Sequence, residues 1–385
     1  MTARAPAAGR VVLAGSLALT ATVVPAFLAG ALSGRIGDDL GFGEGAAGAA
    51  VAAFFVGAGA FAVPMGRVTE RYGPTAAMRT GVAISGASAL AVAALATAWW
   101  QLALALLVAG SAVGLVDTGA ARAFGDAVPE RRHGLAFGTK EASVPAAALV
   151  AGLSIPVLAD RAGWRAAFVL AALLAPLVWL VVPRLDATRP ARDDAGAGRI
   201  PGALVLYAAG VALAVASATA AGTLLVPAIE SRGWAEDDAG LLLALASVAS
   251  ITVRVLAGVR GDRRPTGTWA MLTTLITVGA AGALLLAAVE GGVAGVVGSL
   301  AVIGAGWGWT GLAFQTAVRV SSGRPAAAAG VVLTGLSVGG VAGPAAFGAI
   351  ASAASYGAAW VVAAVALLLG AVAIAASRPA LEPVG

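Results

Sequence analysis

Two cations stand inside long apolar stretches of this chain, and both are side chains that could hold an anion. Lys140 is the single lysine among 24 basic residues. Arg254 lies in a second apolar stretch, four residues before Gly258. Ionisable residues in such surroundings are costly and usually face a cavity or a partner. An ammonium attracts any anion, and the planar fork of a guanidinium matches a carboxylate, so the two residues indicate an anion site.

The two cations also have structural interpretations, which the sequence leaves open. Lys140 could pair with Glu141 or Asp117, or extend toward the polar surface. Arg254 could belong to a gate near the end of its helix, or extend toward the polar surface there. The two acids are in turn candidates for proton coupling, although Asp117 could instead pair with a basic loop residue such as Arg71.

Two tryptophans and an amide follow the flexible run 304–306 in another apolar stretch. Trp307, Trp309 and Gln315 could form one wall of a substrate cavity. Packing and interfacial anchoring are the alternatives for the tryptophans. The candidate substrate-binding residues are therefore Lys140, Arg254, Trp307, Trp309 and Gln315.

The stretches that must position these side chains read as membrane helices. Hydrophobic residues make up 60% of the chain and charged residues only 11%, which is far from a soluble domain. A spanning helix needs roughly 20 apolar residues, and twelve stretches approach that length. They are 11–33, 46–65, 75–97, 99–121, 134–158, 164–183, 201–228, 238–258, 268–289, 293–318, 326–351 and 356–376. The first is too long for a signal peptide and is followed by eleven more.

Two short motifs repeat about half a chain length apart, each reading glycine, three residues, an acid and an arginine. They are the first loop motif (Gly66, Glu70, Arg71 and Gly73) and the second loop motif (Gly258, Asp262 and Arg263). Such an internal repeat is typical of transporters built from two similar bundles. The polar stretch 184–200 would link a bundle at 1–183 to a bundle at 201–385. We therefore expect an all-α membrane protein with twelve transmembrane helices in two pseudo-symmetric six-helix bundles.

The basic residues predict how the chain is oriented. If both termini are cytoplasmic, most arginines fall in cytoplasmic segments, and the exceptions in the outer loops are Arg35, Arg161, Arg165 and Arg232. This bias fits the positive-inside rule. We expect a multi-pass protein of the plasma membrane, with the lipid bilayer as its surroundings and both termini in the cytoplasm.

Composition argues against several other classes of function. One histidine, no cysteine and few acids exclude most metal and catalytic-triad sites, so we expect neither an enzyme nor a bound cofactor or metal. The phosphate-binding pattern Gly-x-x-x-x-Gly-Lys-[Ser/Thr] is absent, so ATP is not the expected energy source. The basic residues are spread over short loops, which does not suit a nucleic-acid partner.

The first loop motif carries a family resemblance. It reads G-R-V-T-E-R-Y-G-P-T and resembles the loop between helices two and three of the major facilitator superfamily, roughly Gly-x-Leu-Ala-Asp-Arg-x-Gly-Arg-Lys. Glu70 stands for the Asp, and Pro74 and Thr75 stand for the Arg-Lys pair. The run 163–168, Gly-Trp-Arg-Ala-Ala-Phe, resembles the usual opening of helix six. With twelve spans and the repeated motif, the resemblance covers essentially the whole chain.

In that family the motif is understood as a cytoplasmic gate latch. An acid at the end of one helix faces the start of a helix in the other half, where free N–H groups and the helix dipole favour negative charge. The resemblance implies that Glu70 faces the start of helix eleven near Gly330, and that Asp262 faces the start of helix five near Gly134. Ordinary solvated loop charges are the alternative.

Two weaker resemblances concern the substrate. Arg254, four residues before the loop glycine, is similar to the pattern in monocarboxylate transporters, where this arginine holds the substrate carboxylate. Ser250 replaces the acid that precedes it there by one turn. The Lys140 segment and the Gly-Trp-Gly-Trp run at 306–309 look most like the broad cyanate-permease-like branch.

Three functions follow as hypotheses. The first is secondary active transport of a small organic or inorganic anion by alternating access, as a symport if protons move with it, and it rests on Lys140 and Arg254. The second is efflux of drugs or amphipathic metabolites by proton antiport, which the missing arginine before 110–114 disfavours. The third is a non-transporting membrane sensor, disfavoured by the intramembrane charges. For a transporter we expect a small-molecule substrate and a monomer.

Overall fold

The computed structural model describes residues 8–129, 132–185, 201–263, 267–289, 292–320 and 325–381. Within them, twelve helices are long and apolar enough to cross a membrane, which confirms the expected all-α membrane fold. They are α1 (Ala8–Ala31), α2 (Glu44–Tyr72), α3 (Pro74–Leu95), α4 (Trp99–Ala127), α5 (Gly134–Ala162), α6 (Trp164–Val181), α7 (Gly202–Glu230), α8 (Glu236–Arg263), α9 (Thr268–Ala288), α10 (Gly292–Ala317), α11 (Pro325–Ala353) and α12 (Tyr356–Leu381). Most of the predicted linker, from residue 186 on, lies outside the described residues.

The first loop motif is mostly helical. Helix α2 continues through Glu70 and ends at Tyr72, and Pro74 begins α3. Gly73 joins them with φ 84°, a left-handed conformation that glycine adopts without steric cost. The pair Gly73–Pro74 thus stops one helix and starts the next, because proline suits a first helical turn.

Three of the twelve helices are interrupted near the middle of the fold. Helix α4 turns at Ala112, and α10 is irregular between Gly306 and Trp309. Helix α5 turns at Ala142, between the segments His133–Glu141 and Ser143–Ser154. Interrupted backbone within a membrane is tolerated where it is buried in protein or lines a cavity. Lys140 and Glu141 therefore lie at a break rather than on a smooth helical face.

We refer to the first six helices and the last six helices as the two helix sets. Among the first six, α1 packs against α5, α2 against α4, and α3 against α6. Among the last six, α7 packs against α11 and α12, and α9 against α12. The main contacts between the sets join α1 with α7, α2 with α11, and α5 with α8. These three pairs surround the centre of the molecule.

Successive helices cross in alternate directions, so both loop motifs lie on one face, the motif side, and Arg35 lies on the opposite face, the far side. At the far side the two sets meet closely. A Cβ atom on Gly30 of α1 would lie 2.2 Å from the main-chain oxygen of Thr223 of α7. Arg35 makes ion pairs with Asp160 at the end of α5 and with Glu236 at the start of α8. The far side is therefore closed between the two sets.

Candidate functional site

Four charged side chains form a chain of alternating sign at the centre of the molecule. Lys140 of α5 is buried and makes an ion pair with Asp117 of α4. Its ammonium Nζ lies 3.4 Å from Oε1 of Glu141. The other carboxylate oxygen of Glu141, Oε2, lies 3.7 Å from Nη1 of Arg254 in α8. Glu141 therefore stands between the two cations.

A proline in α5 explains how Arg254 is held. In a regular helix the carbonyl oxygen of Glu141 would accept the N–H of the residue four positions later. That residue is Pro145, which has no N–H. Arg254 Nη1 donates to this carbonyl oxygen instead, at 2.5 Å. The break in one helix thus supplies an acceptor to a side chain of the other set.

The opposite edge of the same guanidinium has no protein partner. Arg254 is 2% exposed, and its Nε and Nη2 atoms make no hydrogen bond to any described residue. These two nitrogens form one edge of the guanidinium plane, and their parallel N–H groups match the two oxygens of a carboxylate. The ring of Trp307 lies 5.3 Å from the guanidinium carbon and covers the cation. A buried, unsatisfied cationic edge is costly to keep unless a ligand uses it.

Arg254 lines a small cavity of about 160 Å³ between the two helix sets. Most of its wall is apolar. The aromatic lining residues are Phe27, Phe54, Phe55, Trp307 and Phe314. Lys140, Glu141 and Asp117 provide the charged part of the wall. The cavity therefore offers cationic donors on an aromatic background, which suits an anion with an apolar body.

A second cavity of about 480 Å³ extends from these same charges toward the motif side. Asp117, Lys140 and Glu141 line both cavities. The larger one also reaches Asp262 and Gly330 near the motif side. Together with the closed far side, this arrangement gives the central site its route to the motif side.

The predicted substrate residues fall into three groups. Lys140, Arg254 and Trp307 line the small cavity, whereas Gln315 lines only the larger one. Trp309 lines neither of these two cavities. Its side chain is fully buried, and its indole N–H donates to the carbonyl oxygen of Gly306 at 2.7 Å. The irregular backbone of α10 turns it into the protein interior.

The structure also shows which of the alternative partners the charged residues contact. Asp117 pairs with Lys140 and not with Arg71, whose guanidinium lies 5.3 Å from the ring of Tyr72 at the surface. Arg254 does not extend toward the polar surface, because it is buried against Glu141. Both cations therefore belong to the central network.

The second loop motif makes the contact that the sequence predicts. Oδ1 of Asp262 accepts the main-chain N–H of Gly134 at 3.1 Å, and Oδ2 accepts that of Leu135 at 3.0 Å. These N–H groups are free because they belong to the first turn of α5, where the helix dipole also favours a carboxylate. Gly258 permits the approach, since a Cβ atom there would lie 2.6 Å from the oxygen of Gly134. Arg263, the last residue of the motif, is exposed.

The first loop motif makes no corresponding contact among the described residues. Glu70 is exposed and forms no hydrogen bond or ion pair with the residues that the structure describes. The expectation that it faces the start of α11 stays a prediction, because α11 begins at Pro325 and the four residues before it lie outside the described part of the chain. Gly330 is the sixth residue of that helix, beyond the four whose N–H groups are free. A Cβ atom at Gly330 would meet nothing within 4 Å.

Two contacts of the site were not foreseen from the sequence, although Thr310 belongs to the same run as Trp307, Trp309 and Gln315. Thr310 donates from Oγ1 to Oε2 of Glu141 at 3.4 Å, and Phe27 of α1 stacks near Trp307 with ring centres 5.7 Å apart. The spacing of residues in the sequence predicts neither contact. The free carbonyl of Glu141 did have a signal in the sequence, namely a proline four positions later.

Comparison with known proteins agrees with this architecture. The family model described as Major Facilitator Superfamily matches residues 9–332. Two uncharacterized MFS-type transporters from two strains of Mycobacterium tuberculosis are 28% and 29% identical to the chain over 235 residues. The match covers 58% of this chain and 52% of each relative, so the chain spans about half the length of these curated relatives.

Proposed function

Because the chain belongs to the Major Facilitator Superfamily, we propose that this membrane transporter carries a small organic anion by alternating access. One observation supports the choice of an anion above the others. The Nε and Nη2 atoms of Arg254 are buried without a hydrogen-bond partner among the described residues, and Arg254 lines an apolar cavity. A carboxylate would satisfy both N–H groups at once.

Lys140 adds a second cation to the same wall, and its role differs from that of Arg254. Its ammonium is already paired with Asp117 and lies near Glu141. It would therefore attract any anion as a point charge rather than bind a carboxylate in a defined geometry. The two cations come from different helix sets, so an anion between them would favour a state in which the sets are close.

The proposal includes an orientation and a driving force. We place the motif side and both termini in the cytoplasm, and the far side outside the plasma membrane, following the distribution of basic residues. Protons are the proposed driving ion, since Asp117 and Glu141 line the same cavity as the cations. Both helix sets of one chain line the cavity, so we propose that a monomer transports.

Alternating access would require the far-side contacts to open. Arg35 joins α5 and α8 through Asp160 and Glu236, and Gly30 packs against the main chain of α7. In the outward-facing state these contacts would separate while the motif side closes further. Symport with protons would then follow from loading both ligands in one state and releasing them in the other.

Ligand-induced thermal stabilisation of the purified protein tests the anion site. The probes are acetate, pyruvate, benzoate, phenylacetate and thiocyanate, tested one at a time. Arg254→Ala should abolish the stabilisation, and Arg254→Lys should weaken the carboxylates at least tenfold while sparing thiocyanate, which needs no planar fork. Lys140→Ala should weaken every anion.

The control is Arg161→Ala, which removes an exposed arginine at the end of α5 outside both cavities. It should leave the response unchanged. Equal stabilisation by anions in wild type, Arg254→Ala and Lys140→Ala would make both charges structural and end the proposal.

The aromatic wall favours a second candidate, efflux of amphipathic compounds. Phe54, Phe55 and Trp307 would accommodate a lipophilic cation as readily as an apolar anion. The buried cations disfavour it, because a cationic ligand would meet like charge at Arg254. Competition of tetraphenylphosphonium against benzoate separates the two, since displacement only by anions supports the first candidate.

A further inference from the structure

We propose that each monoanion bound at Arg254 places one proton on the carboxylate pair Asp117–Glu141, so that the loaded site stays electrically neutral. The inference rests on the proposed function and specifies its coupling ratio. The number of protons taken up would also indicate the charge of the substrate, since a monoanion needs one proton and a dianion needs two.

The argument begins with the charges of the empty site. Two cations, Lys140 and Arg254, face two carboxylates, Asp117 and Glu141, so the central network has no net charge. Both cations are buried, at 4% and 2% exposure. Uncompensated charge at such depth is strongly unfavourable. A monoanion that entered alone would leave one uncompensated negative charge.

The geometry indicates where the compensating proton goes. Glu141 lies 3.7 Å from Arg254 Nη1 and 3.4 Å from Lys140 Nζ. A bound anion would take over much of the positive charge of Arg254. Asp117 and Glu141 would then share a single ammonium, and two carboxylates in such a position cannot both stay ionised easily. One proton on the pair restores the balance.

The proton is assigned to the pair rather than to one residue, because both carboxylates face the same ammonium of Lys140. The polar neighbour from α10 is Thr310, whose hydroxyl reaches Glu141. Toward the motif side, the larger cavity also contacts Asp262 and Arg319, which have opposite charges. The lining residues from α1, α2, α7 and α11 carry no titratable group in the described chain. The net charge of the central network is therefore zero without any contribution from other titratable groups.

Calorimetry of anion binding measures the ratio directly. The purified full chain is titrated near neutral pH with whichever anion of the five probes binds best. Two buffers with different ionisation enthalpies give the number of protons taken up per anion. We expect about one proton per anion in the wild type, with an affinity that weakens as the pH is raised, because proton uptake is linked to anion binding.

The variants Glu141→Gln and Asp117→Asn each remove one negative charge from the network. Each should bind the anion at least as tightly as the wild type at high pH, with no proton uptake. The control is Asp238→Asn, an exposed acid at the start of α8 outside both cavities, and it should retain about one proton per anion. In proteoliposomes, wild-type uptake should not respond to a potassium diffusion potential.

Several results would overturn the inference. Wild-type binding without proton uptake would end it and leave the anion proposal intact. A ratio of one retained in either variant, or loss of binding in both, would also end it, since each contradicts the charge count. If no anion binds the wild type, the proposed function fails and this inference fails with it.

Discussion

The two loop motifs have the same pattern of residues but different surroundings. Asp262 is held by two N–H groups at the start of α5, whereas Glu70 is exposed at the end of α2. Helix α5 offers Asp262 the N–H groups of its first turn at Gly134 and Leu135. Helix α11 begins at Pro325, directly after four residues outside the described part of the chain, and Glu70 has no partner among the described residues. The repeated motif therefore has one observed contact across the two sets, at Asp262.

The asymmetry also describes a state of the molecule. The far side is closed, α5 is held to α8 by Asp262, and Glu70 of the first loop motif has no partner among the described residues. The larger cavity passes between these regions toward the motif side. We interpret the structure as one in which half of the motif-side gate is engaged.

The largest expected difference lies between the two motif glycines. Gly258→Ala would place a Cβ atom 2.6 Å from the main-chain oxygen of Gly134, so α5 and α8 must separate. Overpacking of this kind costs about 1–3 kcal/mol. We expect a melting temperature several degrees below that of the wild type in detergent.

The matched change is Gly66→Ala, where the nearest atom, Cγ2 of Thr118, would lie 3.9 Å away. Alanine is favoured over glycine inside a helix by about 1 kcal/mol, so this variant should be as stable as the wild type or slightly more stable. Equal losses of melting temperature in Gly258→Ala and Gly66→Ala would show that the two motifs are packed alike.

A smaller effect is expected from Asp262→Asn. The variant loses the negative charge at the start of α5, a term of about 0.3–2 kcal/mol. The motif side should open more often, and a cysteine introduced as Leu333→Cys, at the wall of both cavities, should react several-fold faster with a membrane-impermeant thiol reagent. The chain has no native cysteine to interfere. An unchanged rate would mean that Asp262 does not hold the gate.

The smallest effect is expected from Glu70→Gln in the same labelling assay. Glu70 has no partner among the described residues, so the rate should change less than about twofold, as for a solvated surface charge. A change as large as that of Asp262→Asn would show that the first loop motif also docks in the membrane. The comparison between the two motifs would then apply only to the state seen here.

Much of the fold follows from the sequence, because apolar length alone identifies spanning helices. The twelve predicted stretches correspond to the twelve observed helices. The ends of the helices were predicted less accurately than their number. The predicted stretch 46–65, for example, ends well before Tyr72, where α2 ends.

Site residues of a type that is rare in apolar stretches could be predicted from the sequence. The direction in which a side chain points could not. Lys140 and Arg254 stand out because charges are uncommon in apolar stretches, and both line the central cavity. Trp307 and Trp309 could not be separated from the sequence. They are two residues apart in backbone that is not helical, so no periodicity indicates which one faces the cavity.

The main-chain acceptor that Pro145 frees has a consequence for mutational scanning. Arg254 donates to the carbonyl oxygen of Glu141, and every amino acid at position 141 retains that oxygen. A scan of side chains would therefore miss this contact at the residue that makes it. The contact would be detected instead at position 145, where any residue other than proline brings back an N–H that competes for the same oxygen. When the effects of substitutions on function are measured along the chain, substitutions of Pro145, which is buried and uncharged, should therefore be as damaging as substitutions of Arg254.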